Sequence, residues 1–252
     1  MRLFTHAVAV LLATACVAEI TDAPVGVETD IFLTITLDEG PATRAISDGL
    51  SADKLVYAVM TEEGEIVSRS EKYLASGLPA SGLKMTVSMA LGTSYKVVCW
   101  AQSSKCEAYT VSEDMTVTVD YSGVANDELR DAFYGVSEPF TLDQTEAEVV
   151  LKRPFAQLNA GTHTFDWEYV TGYHGFDVKT SAARVRGVAN QLNLLDGTVS
   201  GLVDAQFTPA PLPSELLMAD VDENGSEEEY TYLFMSYILA SDEATYHSVD
   251  IH

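Results

Sequence analysis

Basic residues are scarce in this chain: 14 Lys and Arg stand against 38 Asp and Glu, a formal net charge of -24 at pH 7. Such a field repels phosphate backbones and anionic lipid, which argues against a nucleic-acid partner and against electrostatic membrane docking. Cysteine is scarce too. Only Cys16, Cys99 and Cys106 occur, too few for a disulfide scaffold. No segment downstream of the N-terminus reaches the roughly 20 apolar residues that a membrane-crossing helix requires. There is no nucleophile elbow, no HExxH and no glycine-rich phosphate loop. Carboxylates are so numerous that no pair of them is diagnostic of glycoside hydrolysis. No residue constellation supports an enzyme, and none calls for a cofactor.

The N-terminus is the most informative segment present. Arg2 precedes an apolar run over 3–15, which closes on Ala13, Thr14 and Ala15 and is followed at once by Cys16. This is the pattern of a secretory signal, read here as residues 1–16, with a linker over 17–29. Two cleavage readings stand. In one, Cys16 is lipidated and becomes the new N-terminus. In the other, cleavage follows Ala15 and Cys16 stays unmodified. After export the chain is either free or tethered by acyl chains, several of which hold well where one holds weakly.

Hydrophobic residues make up 47% and charged residues 21%, a globular composition. Most of the periodicity is two. Ile31, Leu33, Ile35 and Leu37 alternate with smaller or polar neighbours, and so do Leu83, Met85, Val87 and Met89. Residues 54–60 (KLVYAVM) are apolar on both faces, as expected of a central strand. Further strands are predicted at 65–69, 94–101 and 115–121. Short strands punctuated by Gly, Ser, Pro and Asp predict an all-β sandwich. One helical piece of about two turns is expected at 126–133, with Asn126 as its cap. A second strand-rich region begins near Glu146, with strands at 147–152, 165–170, 182–188, 198–207, 229–240 and 245–251 and loops at 190–197 and 209–213. Cys99 and Cys106 flank a short connection, so a bridge across a hairpin and a pair of free thiols both remain open.

Several segments in order carry a family resemblance: the lipoprotein-like start, the strand IFLTITL, the loop from Gly40 through Thr43, Arg44, Ala45 and Ile46, the KLVYAV strand, Cys99-Trp100-Ala101-Gln102, NDELRDAF, VVLKRPFAQL and YLFMSYIL. The chain resembles the fimbrillin-like lipoproteins of Gram-negative anaerobes, the subunits and anchors of type V pili. That resemblance implies two tandem antiparallel β-sandwiches of transthyretin-like topology, over 30–145 and 146–252. It implies a lipid anchor in the outer membrane at Cys16. It implies other pilin-like subunits as partners through strand exchange. A trypsin-like protease would cut between Arg44 and Ala45 and release the first strand. The family pattern continues for several strands past YLFMSYIL, whereas about a dozen residues follow here, so two readings stand: an incomplete C-terminal sandwich, or a shortened member or fragment.

Three other groups of residues are weighed against plainer readings. Asp220, Asp222, Asn224 and Gly225 match half of a calcium loop, but Thr231 stands where the bidentate Glu belongs, and an acidic hairpin tip explains them as well. His163, Asp166 and His174 match no zinc spacing. The aromatics Trp100, Trp167, Tyr169, Tyr173 and Phe176 form either core or a sugar-stacking platform. Exposed coplanar rings favour the platform, and a glycan-binding surface lipoprotein is the alternative function. Burial of Trp100 and Trp167 counts against it.

Overall fold

A computed structural model describes residues 27–35, 51–79, 81–89, 94–141, 146–222, 224–241 and 245–252. The fold is all-β. In chain order the first strands are β1 (Val27–Ile35), β2 (Lys54–Thr61), β3 (Ile66–Tyr73), β4 (Leu83–Met89) and β5 (Tyr95–Gln102). The short β6 (Tyr109–Val111) and β7 (Thr116–Val119) form a hairpin. They are followed by β8 (Ala132–Val136) and β9 (Glu146–Leu151). Then come β10 (Phe155–His163), a helical turn α1 (Thr164–Glu168), β11 (Thr180–Val188), β12 (Gln191–Asn193) and β13 (Val199–Ser200). The last are β14 (Val203–Pro211), β15 (Leu216–Ala219), β16 (Glu228–Leu239) and β17 (Val249–Ile251).

Period-two patterning explains how the layers stack. The sheet ordered β3-β2-β5-β8 is apolar on both faces of its central strands. Leu55, Val59, Val97, Cys99 and Ala101 turn to one side. There they share a core with Met85 and Val87 of β4 and Ala147, Val149 and Leu151 of β9. Val56, Ala58, Met60, Val98 and Trp100 turn to the other side, into a second core with Tyr109, Val117, Leu192, Val185, Phe207 and the β16 residues Tyr232, Phe234 and Met235. Burial on both faces is why β2 and β5 read as unbroken apolar runs. Close approach of the layers needs a glycine at one point. A β-carbon on Gly135 of β8 would lie 2.2 Å from the Val150 carbonyl oxygen of β9.

Strand pairing crosses the boundary expected between 145 and 146. β9, assigned to the second unit, runs parallel to β1 in the three-stranded sheet β4-β1-β9. β12 likewise crosses over to pair with β7. The long pairing of β1 with a strand more than a hundred residues away leaves no local trace in the sequence.

Other local expectations change for physical reasons. The helix expected at 126–133 is a single 3-10 turn, Glu128–Arg130, capped by the Asp127 carboxylate, which accepts from Leu129 N at 3.0 Å. Ala132 and Phe133 are fully buried in β8 and are drawn off into the sheet. Asn126 does not cap. It sits at φ 58°, and its side chain links three segments: it donates to Ser181 Oγ and Pro211 O and accepts from Met235 N. The loop expected at 209–213 is largely strand. Pro209 and Pro211 are tolerated because β14 is the edge of the sheet β14-β11-β17. The strand expected over 198–207 is interrupted at Gly201, which takes φ 69°. Residues 165–170 are helical rather than extended.

Two polar groups stitch the layers. Asp131 is fully buried and accepts from Arg153 Nε and Nη2 at 2.6 and 2.8 Å. Tyr121 donates to Ala189 O at 2.9 Å and accepts from Leu239 N at 3.1 Å, and burial pushes its phenol up to about 12 from 10.0. Burial also raises the Tyr109 and Tyr237 phenols above their ordinary range. In the unfolded chain these groups ionise near pH 10. Between that point and the folded values the native state holds more protons than the unfolded state, so stability falls as pH rises. Tyr121 alone accounts for about 2–3 kcal/mol of that loss by its upper limit. The urea midpoint should therefore drop steeply from pH 9 to 11.5, and Tyr121→Phe should flatten the slope while lowering the neutral-pH midpoint modestly.

Candidate functional site

Two features stand out: the seat of β1, and a helical excursion between β10 and β11. β1 is the middle strand of its sheet, antiparallel to β4 and parallel to β9. The register sets Ile31 opposite Met85 and Ala147, Leu33 opposite Leu83 and Val149, and Ile35 opposite Leu151. Met85, Ala147, Val149 and Leu151 are buried in the core that this sheet shares with β2 and β5. Backbone pairing joins β4 to β9 through β1. Taking β1 away would leave two facing strand edges without backbone partners and uncover that core. The segments that bracket β1 include Cys16, the expected lipidation residue, and Arg44 and Ala45, the expected cleavage pair. All three lie outside the described residues.

Cys99 and Cys106 are free thiols. Cys99 of β5 lies in the core facing β9, and Cys106, in the connection to β6, lies in the core facing β16. Burial raises both thiol pKa values, which keeps them protonated and unreactive. The acidic segment resembling a calcium loop engages its Asp220 and Asp222 carboxylates within its own turn. Asp220 accepts from Asn224 N at 3.0 Å and from Gly225 N at 2.7 Å, and Asp222 accepts from the Asn224 side chain at 2.9 Å. Among the described residues no three His, Cys, Asp or Glu are grouped to hold a metal ion.

His163, Asp166 and His174 do not converge. His163 Nδ1 caps α1 by accepting from Phe165 N at 3.3 Å, and its ring meets Tyr230 edge-on. His174 sits among aromatic rings. α1 runs directly into a π-helical turn, Tyr169–Tyr173. Thr164 Oγ1 anchors the start of this excursion on Glu229 O at 3.1 Å. On it Tyr173 is 78% exposed, Phe165 68%, Phe176 62% and Tyr169 49%. The Tyr169 and Tyr173 rings are parallel, 6° apart with centroids at 5.3 Å. His174 stands edge-on to both, and Phe176 tilts against His174. The five aromatics grouped from the sequence are thus divided. Trp100 is wholly buried core and Trp167 is half-buried, whereas Tyr169, Tyr173 and Phe176 are surface. Phe165 and His174 belong with the surface set. Their signal was the aromatic density of 165–176, which strand periodicity disguised.

These layered sheets define an all-β class of protein. No helix among the described residues is long and apolar enough to cross a membrane. The chain belongs to a family of unknown function (DUF6562), whose profile matches residues 22–252. No curated protein matches it. Its fold is similar to that of a proposed polysaccharide-binding protein (DUF1812) from Bacteroides thetaiotaomicron, at 15% identity over 88% of this chain and 75% of that one, with a TM-score of 0.57. It is also similar to a proposed adhesin from the same organism, at 13% identity over 91% and 77%, with a TM-score of 0.55. The fimbrial anchor protein Mfa2 of Porphyromonas gingivalis matches at 11% identity over 89% and 78%, with a TM-score of 0.50. At these identities the likeness establishes the fold.

Proposed function

We propose that the chain is an exported structural or adhesive subunit of the bacterial surface, of pilin or pilus-anchor type, joined to its neighbours by strand exchange. The observation that carries this reading is the seat of β1, a central strand paired with β4 on one side and β9 on the other. Cys16 carries the lipid that holds the precursor at the outer membrane. A trypsin-like protease cuts after Arg44, β1 leaves, and a strand from another subunit takes its place. β-augmentation of this kind draws affinity from main-chain hydrogen bonds and specificity from alternate side-chain pockets. Delaying exposure of the open edges until after export limits aggregation. The similar structures, a fimbrial anchor and a proposed adhesin, are in keeping with it.

The test is treatment of surface-expressed protein with an Arg-specific protease. A new N-terminus at Ala45 and ladders in mildly denaturing gels are expected, and Arg44→Ala should abolish both. Ladders that persist in the Arg44→Ala protein would show that assembly does not depend on this cut.

A further inference from the structure

We infer that the aromatic array on the excursion between β10 and β11 is a binding site for neutral carbohydrate. The axial C–H face of a pyranose is apolar, whereas its rim is a ring of hydroxyls. A complementary surface therefore presents ring faces beside hydrogen-bonding groups, and the excursion presents both. Tyr173 and Phe176 are mostly exposed, and Tyr169 stacks parallel to Tyr173. His174 braces both tyrosines edge-on. The rings hold one another in place, so little side-chain freedom remains to be lost when a ligand docks. π-helical turns such as this one occur frequently at functional sites.

Charge narrows the ligand class. Asp166 and Glu168 are exposed on the same excursion and have no ion-pair partner among the described residues. The local cation, Lys179, is held by Asp177 at 2.8 Å. Carboxylates accept from sugar hydroxyls but repel uronic acids, sialic acids, nucleic acids and anionic lipid. Size argues against a protein partner. Specific protein interfaces engage roughly 20–30 residues a side. The apolar part of this patch is a handful of side chains, a match for one to three sugar rings. The site lies on an excursion from the β10–β16 sheet and does not involve β1, so it is independent of strand exchange.

The experiment is affinity gel electrophoresis of the uncleaved chain in gels carrying yeast mannan, a β-1,3-glucan, a galactomannan or polygalacturonate. Retardation by at least one neutral polysaccharide and none by polygalacturonate is expected. Tyr169→Ala/Tyr173→Ala should weaken that binding about tenfold or more with an unchanged urea midpoint. Tyr169→Phe/Tyr173→Phe, which keeps the ring faces, should retain most of it. The inference fails if no neutral polysaccharide retards the chain, if only polygalacturonate does, or if the Ala pair binds as the wild type does. It also fails if the Ala pair loses binding to a polylysine peptide while no glycan binds, because that outcome assigns the patch to basic peptides. Loss of the ladders described above would leave this result untouched, so the two readings fail separately.

Discussion

Replacing Arg153 with Met should cost the fold about 3–5 kcal/mol, a large fraction of the stability of an ordinary domain. The reason is Asp131. Its side chain has no exposure, and both of its oxygens accept from the Arg153 guanidinium. The guanidinium lies against the Phe133 and Tyr237 rings, and the carboxylate holds the Arg153 pKa above its usual value. Met preserves most of the packing but strands a carboxylate among apolar groups. Urea unfolding at pH 7 measures the loss. Asp131→Leu together with Arg153→Met should recover most of it, since an apolar pair of similar volume commonly matches or exceeds a buried ion pair. A single variant with an unchanged midpoint would mean that the pair contributes nothing.

Removing β1 should have a comparable or greater effect. Chain lacking residues 1–44 loses the strand that pairs β4 and β9 and uncovers Met85, Val149 and Leu151. Exposing such side chains costs about 1.5–3 kcal/mol each, before any unpaired backbone is counted. The truncated protein should be aggregated or polymeric on native gels. A synthetic peptide of residues 27–35 should return it to monomer, and a scrambled peptide of equal composition should not, because register fixes which side chains meet the core. Failure of the authentic peptide to bind would remove the physical basis of strand exchange.

The sequence made much of this legible. Residues 54–60, 94–101 and 229–240 are apolar on both faces, and each became a central strand. What stayed hidden was long-range or ambiguous. Phe165, Trp167 and Tyr169 alternate with Asp166 and Glu168, and over so short a span that mimics a half-buried strand. Only the helical geometry reveals that Phe165 and Tyr169 are surface residues while Trp167 is half-buried. The pairing of β1 with β9 depends on contacts across more than a hundred residues. Pro209 and Pro211 read as loop, although an edge strand loses little by lacking their N–H groups. The seat of β1 was anticipated in outline, from the alternation at 31–37, but its two neighbours were not.

The mixed pairing of β1 has a directional consequence. An occupant of that seat must run antiparallel to β4 and parallel to β9 at once, so it has a single permitted orientation. Each junction has a giver and a receiver, and a chain of such junctions has two chemically different ends and grows with an arrow.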